Sequence, residues 1–221
     1  MTKKILIVGA GPGGMATAMR LAAAGYEVAI YEAADRVGGR MRGLSLGDYQ
    51  FDSGPTILQV PRIYEELFAH CGLQFSDYVK LIRLDPNTRI KFWDDTHLDL
   101  TSDLAAFKAQ LARFDPALPA SFERWYAEHL RKDVIGYGPY LGTPVRSPLG
   151  YLRPDEIAAA LPFRPWESLY QHFERFFPDE RLVYALGYQA KYLGMHPRAC
   201  SSVFSLVTFL EFHYGIWHPE G

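Results

Sequence analysis

The chain has 221 residues, 48% hydrophobic and 22% charged, enough for one large domain or two small ones and too apolar to stay disordered. Its 23 basic and 25 acidic residues leave a net charge of −2, which argues against a nucleic-acid partner. The two cysteines, Cys71 and Cys200, fit neither a zinc spacing nor a C-x-x-C redox motif and are read as reduced core thiols.

In chain order, Lys4 to Val8 is a short apolar run that meets Gly9, so it predicts a strand buried on both faces rather than a leader peptide. A helix opens at Gly13-Gly14, carries Met15, Ala18, Met19, Leu21 and Ala22, and stops at Gly25 in the C′ position. Glu27 to Tyr31 is the second strand, giving a βαβ start and a parallel sheet. Residues 33–60 are Gly-rich and irregular, with a strand-like piece at Met41 to Leu46. Pro61 starts a helix bearing Ile63, Leu67, Phe68 and Cys71 on one face, ended by Gly72. Val79 to Leu84, Arg89 to Trp93 and His97 to Leu100 read as a β-meander.

From Ser102, taken as an N-cap, the pattern is helical through Leu104, Phe107, Leu111 and Phe114, and again through Phe122, Trp125, Tyr126 and Leu130. Residues 133–153 read as loop. Trp166 to Phe177 read as an aromatic helix, followed by a helix after Pro178-Asp179 to about Leu193 and a last one from Ser202 to Tyr214. That last helix holds the richest apolar run, Val203 to Phe212, which carries Ser205, Thr208 and Glu211 and falls short of the roughly 18 residues of a membrane-crossing helix. Three segments are expected: a dinucleotide-binding part at 1–75, the meander at 76–101, and a helical region at 102–221.

Aromatic residues make up 14% of the chain, and 20 of them fall in residues 122–221. Two readings stay open for this excess. One is a packed core; the other is a channel or membrane-facing surface for an apolar ligand.

Three motifs carry chemistry. Gly9-Ala10-Gly11-Pro12-Gly13-Gly14 matches G-x-G-x-x-G between a strand and a helix, and Glu32 ends the next strand 18 residues after Gly14. Gly9 permits the tight turn, Gly11 lets backbone approach a pyrophosphate, and Gly14 lets the helix pack on the strand. The helix N-terminus offers N–H groups to phosphate. Glu32 accepts from ribose hydroxyls, and its charge disfavours a 2′-phosphate. Gly38-Gly39-Arg40 pairs bare backbone with a guanidinium, suited to phosphate or a flavin edge. The seven histidines show no H-x-x-x-H or H-E-x-x-H spacing, so no metal site is expected. No G-x-S-x-G elbow is present. Arg153 and Asp155 receive no role beyond Asp155 as an N-cap beside Pro154.

Gly9 to Gly14, Glu32, Gly38-Gly39-Arg40 and Phe51-Asp52-Ser53-Gly54-Pro55-Thr56 together resemble the N-terminal part of the flavin amine oxidase and phytoene desaturase superfamily. The run from Phe51 to Phe68 and the ending Ser201-Ser202-Val203-Phe204-Ser205-Leu206 with Glu211, Gly215, Trp217, Pro219 and Gly221 resemble the bacterial-type phytoene desaturases and their carotenoid-modifying relatives. That resemblance implies an α/β, Rossmann-like fold that binds FAD through Gly9, Gly11, Pro12, Gly13, Gly14, Glu32, Gly39, Arg40, Gly54, Pro55 and Thr56. It further implies dehydrogenation of a long isoprenoid polyene such as phytoene, with quinone or oxygen as electron acceptor. The expected location is cytoplasmic, peripheral on a membrane surface. Family members run to about twice this length, so the chain is expected to be an N-terminal piece. Catalytic residues are not assigned. Carotenoid ketolation, oxidation or isomerisation, an amine-oxidising activity, and a fragment binding membrane or partner without FAD remain as alternatives.

Overall fold

A computed structural model describes residues 3–135, 154, 157 and 161–220. The chain divides into two compact units: Met1–Leu84 with Ile216–Gly221, and Asp85–Gly215. This division falls later than the expected boundary at residue 75 and returns the chain's end to the first unit.

In the first unit, β1 (Lys4–Val8) and β2 (Glu27–Tyr31) pair in parallel, Lys4 opposite Glu27 and Val8 opposite Tyr31. Helix α1 (Pro12–Ala23) connects them, with Pro12 at its first position, where the missing N–H costs nothing. Gly25, at φ +87°, closes α1 as expected. Its N–H reaches the Ala22 carbonyl and that of Tyr26 the Leu21 carbonyl, the pair of bonds that satisfies a helix end.

The expectation of a strand buried on both faces does not hold for β1. Leu6 is 59% and Val8 91% exposed, because β2 is the one strand paired with it among the described residues. Strand β3 (Gly43–Leu46) pairs antiparallel with β4 (Tyr49–Asp52), and α2 (Arg62–His70) follows.

The expected meander resolves differently. Strand β5 (Leu81–Leu84) pairs antiparallel with β8 (Ile216–Pro219), Leu84 opposite Ile216, while β6 (Thr88–Lys91) and β7 (His97–Leu100) form a separate hairpin. Pro86, two residues beyond β5, offers no N–H to continue a ladder, and Gly215, at φ +75°, turns the chain into β8. Such a partner more than 130 residues away leaves no mark in local sequence pattern.

The second unit holds the main core. Helix α3 (Leu104–Phe114) is capped by Asp103, not Ser102; one Asp103 carboxylate oxygen accepts from the Ala105 and Ala106 N–H groups, both at 3.0 Å. Helix α4 (Leu118–Ile135) extends past residue 133, where a loop was expected; the rest of that loop, with Arg153 and Asp155, lies outside the described residues. The aromatic stretch 166–177 is helical over α5 (Leu169–Glu174), which Ser168 opens with Gln171 in a capping box. Helix α6 (Glu180–Gly187) starts on Asp179, and α7 (Ser205–Tyr214) ends at Gly215.

Many aromatic residues of the second unit are core. Phe107, Phe122, Trp125, Phe173, Phe177, Phe209 and Phe212 are all buried. Phe107 stands 4.9 Å from Phe122 and 4.6 Å from Phe212, ring centre to ring centre, close enough to add about 0.5–1.5 kcal/mol per pair beyond area burial. Cys200 is buried as expected, and Cys71 is partly buried.

The first unit's core is thin, with Ala10, Val60, Phe75 and Ile216 buried and no fully buried residue in α1 or α2. Hydrogen exchange monitored by mass spectrometry is therefore expected to label β1 and β2 well before α3 and α7. Equal protection in the two units would contradict this packing.

Candidate functional site

The glycine turn after β1 forms the floor of the site. Gly9 takes φ +99°, and its N–H donates to the Tyr31 carbonyl at 2.7 Å, tying the turn to β2. A Cβ at Gly14 would collide with the Gly9 carbonyl oxygen, so helix and turn meet at a distance that glycine alone allows. Gly13 differs: a Cβ there would meet nothing within 4 Å. The helix start there has no side-chain cap and no acidic residue in its first turn.

A second glycine loop leans on the first. The Gly38 N–H donates to the Ala10 carbonyl at 2.8 Å, and a Cβ at Gly39, φ +56°, would come within 3.1 Å of Gly11 Cα. A third segment closes the far side, where a Cβ at Gly54 would collide with the Arg40 carbonyl oxygen. The three segments enclose a cavity of about 1000 Å³ lined by Gly11, Pro12, Gly13, Gly39, Arg40, Met41, Arg42, Ser53, Gly54 and Pro55. Loops from three places in the sequence thus meet around one volume, with Arg40 and Arg42 among its lining residues.

Of the sequence-nominated residues, Gly11, Pro12, Gly13, Gly39, Arg40, Gly54 and Pro55 line this cavity. Gly9 and Gly14 shape it from behind. Thr56 lines a neighbouring cavity instead, of about 580 Å³, together with Pro55. Glu32 sits at the end of β2, its carboxylate accepting from the Ala10 N–H at 2.7 Å and the Ala34 N–H at 2.9 Å. The Ala34 bond, then the Ala10 bond, hold that carboxyl below its usual range, so it is ionised at neutral pH. Met41, Arg42 and Ser53 were missed. The Ser53 hydroxyl donates to the Arg42 carbonyl at 2.6 Å, which brings both to the cavity, and Arg42, two residues beyond Arg40, was the readable signal.

These residues fit a dinucleotide. Bare backbone at Gly11, Gly13 and Gly39 and cations at Arg40 and Arg42 suit a pyrophosphate, and the carboxylate of Glu32 suits ribose hydroxyls. Among the described residues no cluster of ligating side chains is arranged for a metal ion, and no helix is long and apolar enough to cross a membrane.

The fold and this cradle define a Rossmann-type dinucleotide-binding protein, and the NAD(P)-binding Rossmann-like domain family matches residues 7–72. An all-trans-zeta-carotene desaturase of Myxococcus xanthus is 45% identical over 99% of this chain and 42% of its own length. A zeta-carotene-forming phytoene desaturase of the same organism is 36% identical over 99% of this chain and 42% of its own. A 4,4'-diapolycopene oxygenase of a Methylomonas species is 32% identical over 99% and 44%. Among solved structures, an oxidoreductase from Methanosarcina mazei superposes with a TM-score of 0.56 at 18% identity, covering 99% of this chain and 46% of that one. A putrescine oxidase variant superposes at 0.57 and 17%, with the same coverages. The chain is a relative of the carotenoid desaturases and spans less than half the length of the curated relatives it matches.

Proposed function

We propose that this chain supplies the FAD-binding part of an oxidoreductase that desaturates a long isoprenoid polyene in carotenoid biosynthesis. The observation that carries the reading is the cradle itself: three glycine-bearing segments and two arginines around one cavity, on a chain 45% identical to a zeta-carotene desaturase. Gly11, Gly13 and Gly39 would admit the pyrophosphate, Arg40 and Arg42 would balance its charge, and Glu32 would accept from ribose. Glu32 also disfavours a 2′-phosphate, which supports FAD over NADP. Gly54 and Pro55 also line the cavity, Gly54 packed against the Arg40 carbonyl. When bound, FAD supplies a two-electron oxidant for an allylic C–H bond. The chain's own part is to hold, orient and dehydrate the reactants.

A polyene has no polar handle, so its delivery calls for an apolar surface. Trp166, Leu161, Tyr192, Leu193 and Met195 of the second unit stand exposed and are the residues proposed to rest on a membrane. Electrons would leave to a quinone or to oxygen. Oxygenation of a carotenoid is a second reading, favoured by the 32% identity to a diapolycopene oxygenase.

The test is direct. The purified chain is heat-denatured and the supernatant assayed for nucleotide by fluorescence and chromatography. FAD approaching one per chain is the expected result. Release of NAD or NADP in its place sinks the flavin reading.

A further inference from the structure

The smaller cavity beside the cradle shares Met41 and Pro55 with it, so a ligand filling one abuts the other. Its walls include Phe51, Ile57 and Leu58, apolar groups suited to a hydrocarbon, and two titratable side chains, Asp52 and His218. His218 has a fixed ring. Its Nδ1 lies 2.7 Å from the Thr56 carbonyl oxygen, which can only accept, so in the neutral ring Nδ1 carries the proton and Nε2 the lone pair. The strand that bears it is held on both sides. Strand β8 pairs with β5, and Leu58 and Trp217 exchange N–H···O bonds of 2.8 and 2.9 Å. A basic side chain on a clamped strand, lining a cavity of mixed apolar and polar walls that abuts a dinucleotide site, is placed as a general base should be.

We propose that His218 is the proton acceptor of the desaturation, taking through Nε2 the proton that the polyene loses. The proposal rests on the desaturase reading above and deepens it. In the step, one allylic C–H bond breaks and its hydrogen leaves with the electron pair to the bound flavin, the oxidant. The C–H bond on the neighbouring carbon breaks, its electrons form the new C=C bond, and its proton goes to Nε2 of His218. The substrate is oxidised by two electrons, the flavin is reduced by two, and the histidine returns its proton to solvent.

Asparagine separates the two ends of the ring. In His218→Asn the side-chain N–H can still donate to Thr56, but no basic atom replaces Nε2. The FAD-loaded protein carrying His218→Asn is expected to keep its FAD content and its polyene affinity and to lose about 100-fold or more in turnover, the scale of a missing general base. His218→Ala should show the same loss, partly restored by added imidazole, which a merely structural role would not produce. Nitrogen-15 NMR of the wild-type chain should show the neutral ring protonated at Nδ1, a readout independent of activity. Three results overturn the proposal: a proton found on Nε2, wild-type turnover in His218→Asn, or a loss of turnover confined to Asp52→Asn. Loss of FAD from His218→Asn also overturns it, by making the residue structural. A wild-type protein that binds neither FAD nor polyene sinks the underlying desaturase reading instead, and is recognised before any variant is made.

Discussion

Gly14→Ala is expected to weaken FAD binding about 10–100-fold, equivalent to about 1.4–2.8 kcal/mol. The first carbon of any side chain at that position collides with the Gly9 carbonyl oxygen. The overlap can be relieved only by lifting α1 off the turn, which also shifts the Gly13 and Gly14 N–H groups away from the cavity. Overpacking of this kind costs about 1–3 kcal/mol, so the first unit should lose stability as well. Gly13→Ala is the matched control. Its Cβ meets nothing within 4 Å, and alanine is a better helix former by about 1 kcal/mol. It should leave folding intact or improved and weaken binding only, by placing a methyl group in the cavity it lines. Gly54→Ala repeats the Gly14 logic on the opposite wall, because its Cβ collides with the Arg40 carbonyl oxygen. Titration of each variant with FAD, followed by flavin fluorescence beside a thermal melt, reads both effects. A Gly14→Ala protein that melts and binds like wild type would show that the close approach of helix and turn does not shape the site.

The parts of this site that were legible in the sequence are those whose cause is local. Gly9 to Gly14 and Gly25 announce a turn and a helix end because the backbone there must take conformations that other residues resist, and the structure puts Gly9 and Gly25 at positive φ. Glu32 was legible by its distance from Gly14 and its place at the end of β2. What could not be read was assembled over long range. Met41, Arg42 and Ser53 reach the cavity because two loops close on each other, and β8 finds β5 across most of the chain. The cap of α3 moved from Ser102 to Asp103 because a carboxylate one residue on reaches two N–H groups at once. The aromatic excess admitted two readings on paper, and burial decided for Phe122, Trp125, Phe173 and Phe177. Two of the histidines that fit no metal spacing carry a different local signal. His129 continues the apolar row Phe122-Trp125 on α4, and His172 lies between Leu169 and Phe176, so their spacing already placed them among core positions.

Those two histidines should make the second unit acid-sensitive. Both are fully buried, with ring centres 5.1 Å apart. Burial, reinforced by Lys132 and Arg175, pushes His129 down to about 3. Burial, then the neighbouring His129, Lys132, Arg175 and Arg164, push His172 down to about 2. The nearby carboxylates are taken by the same cations: Glu128 by Lys132 and Arg175, Glu167 by Arg164 and Arg175. His129 is at least satisfied, with Nδ1–H on the Trp125 carbonyl at 2.9 Å and Nε2 accepting from the Ser205 hydroxyl at 2.8 Å. Among the described residues His172 has no hydrogen-bond partner on either nitrogen. Because the folded state keeps both rings neutral while the unfolded chain protonates them near pH 6.5, the unfolded state binds more protons as pH falls. Stability is therefore full above about pH 6.5 and is lost on the way down, by about 2 kcal/mol per ring at pH 5. The two together amount to about 4 kcal/mol, a large share of the roughly 5–15 kcal/mol that a domain has. Asp94, Asp99 and Asp179, whose carboxyls are held low by hydrogen bonds, add their loss only below about pH 4. Urea unfolding at pH 7.5 and 5.0, followed by tryptophan fluorescence, should show the drop. His172→Phe should halve it and raise stability at pH 7.5, since it removes two buried nitrogens that have no hydrogen-bond partner among the described residues. Equal stability at the two pH values, or a His172→Phe protein with an unchanged pH slope, would mean that these rings are not what the acid acts on.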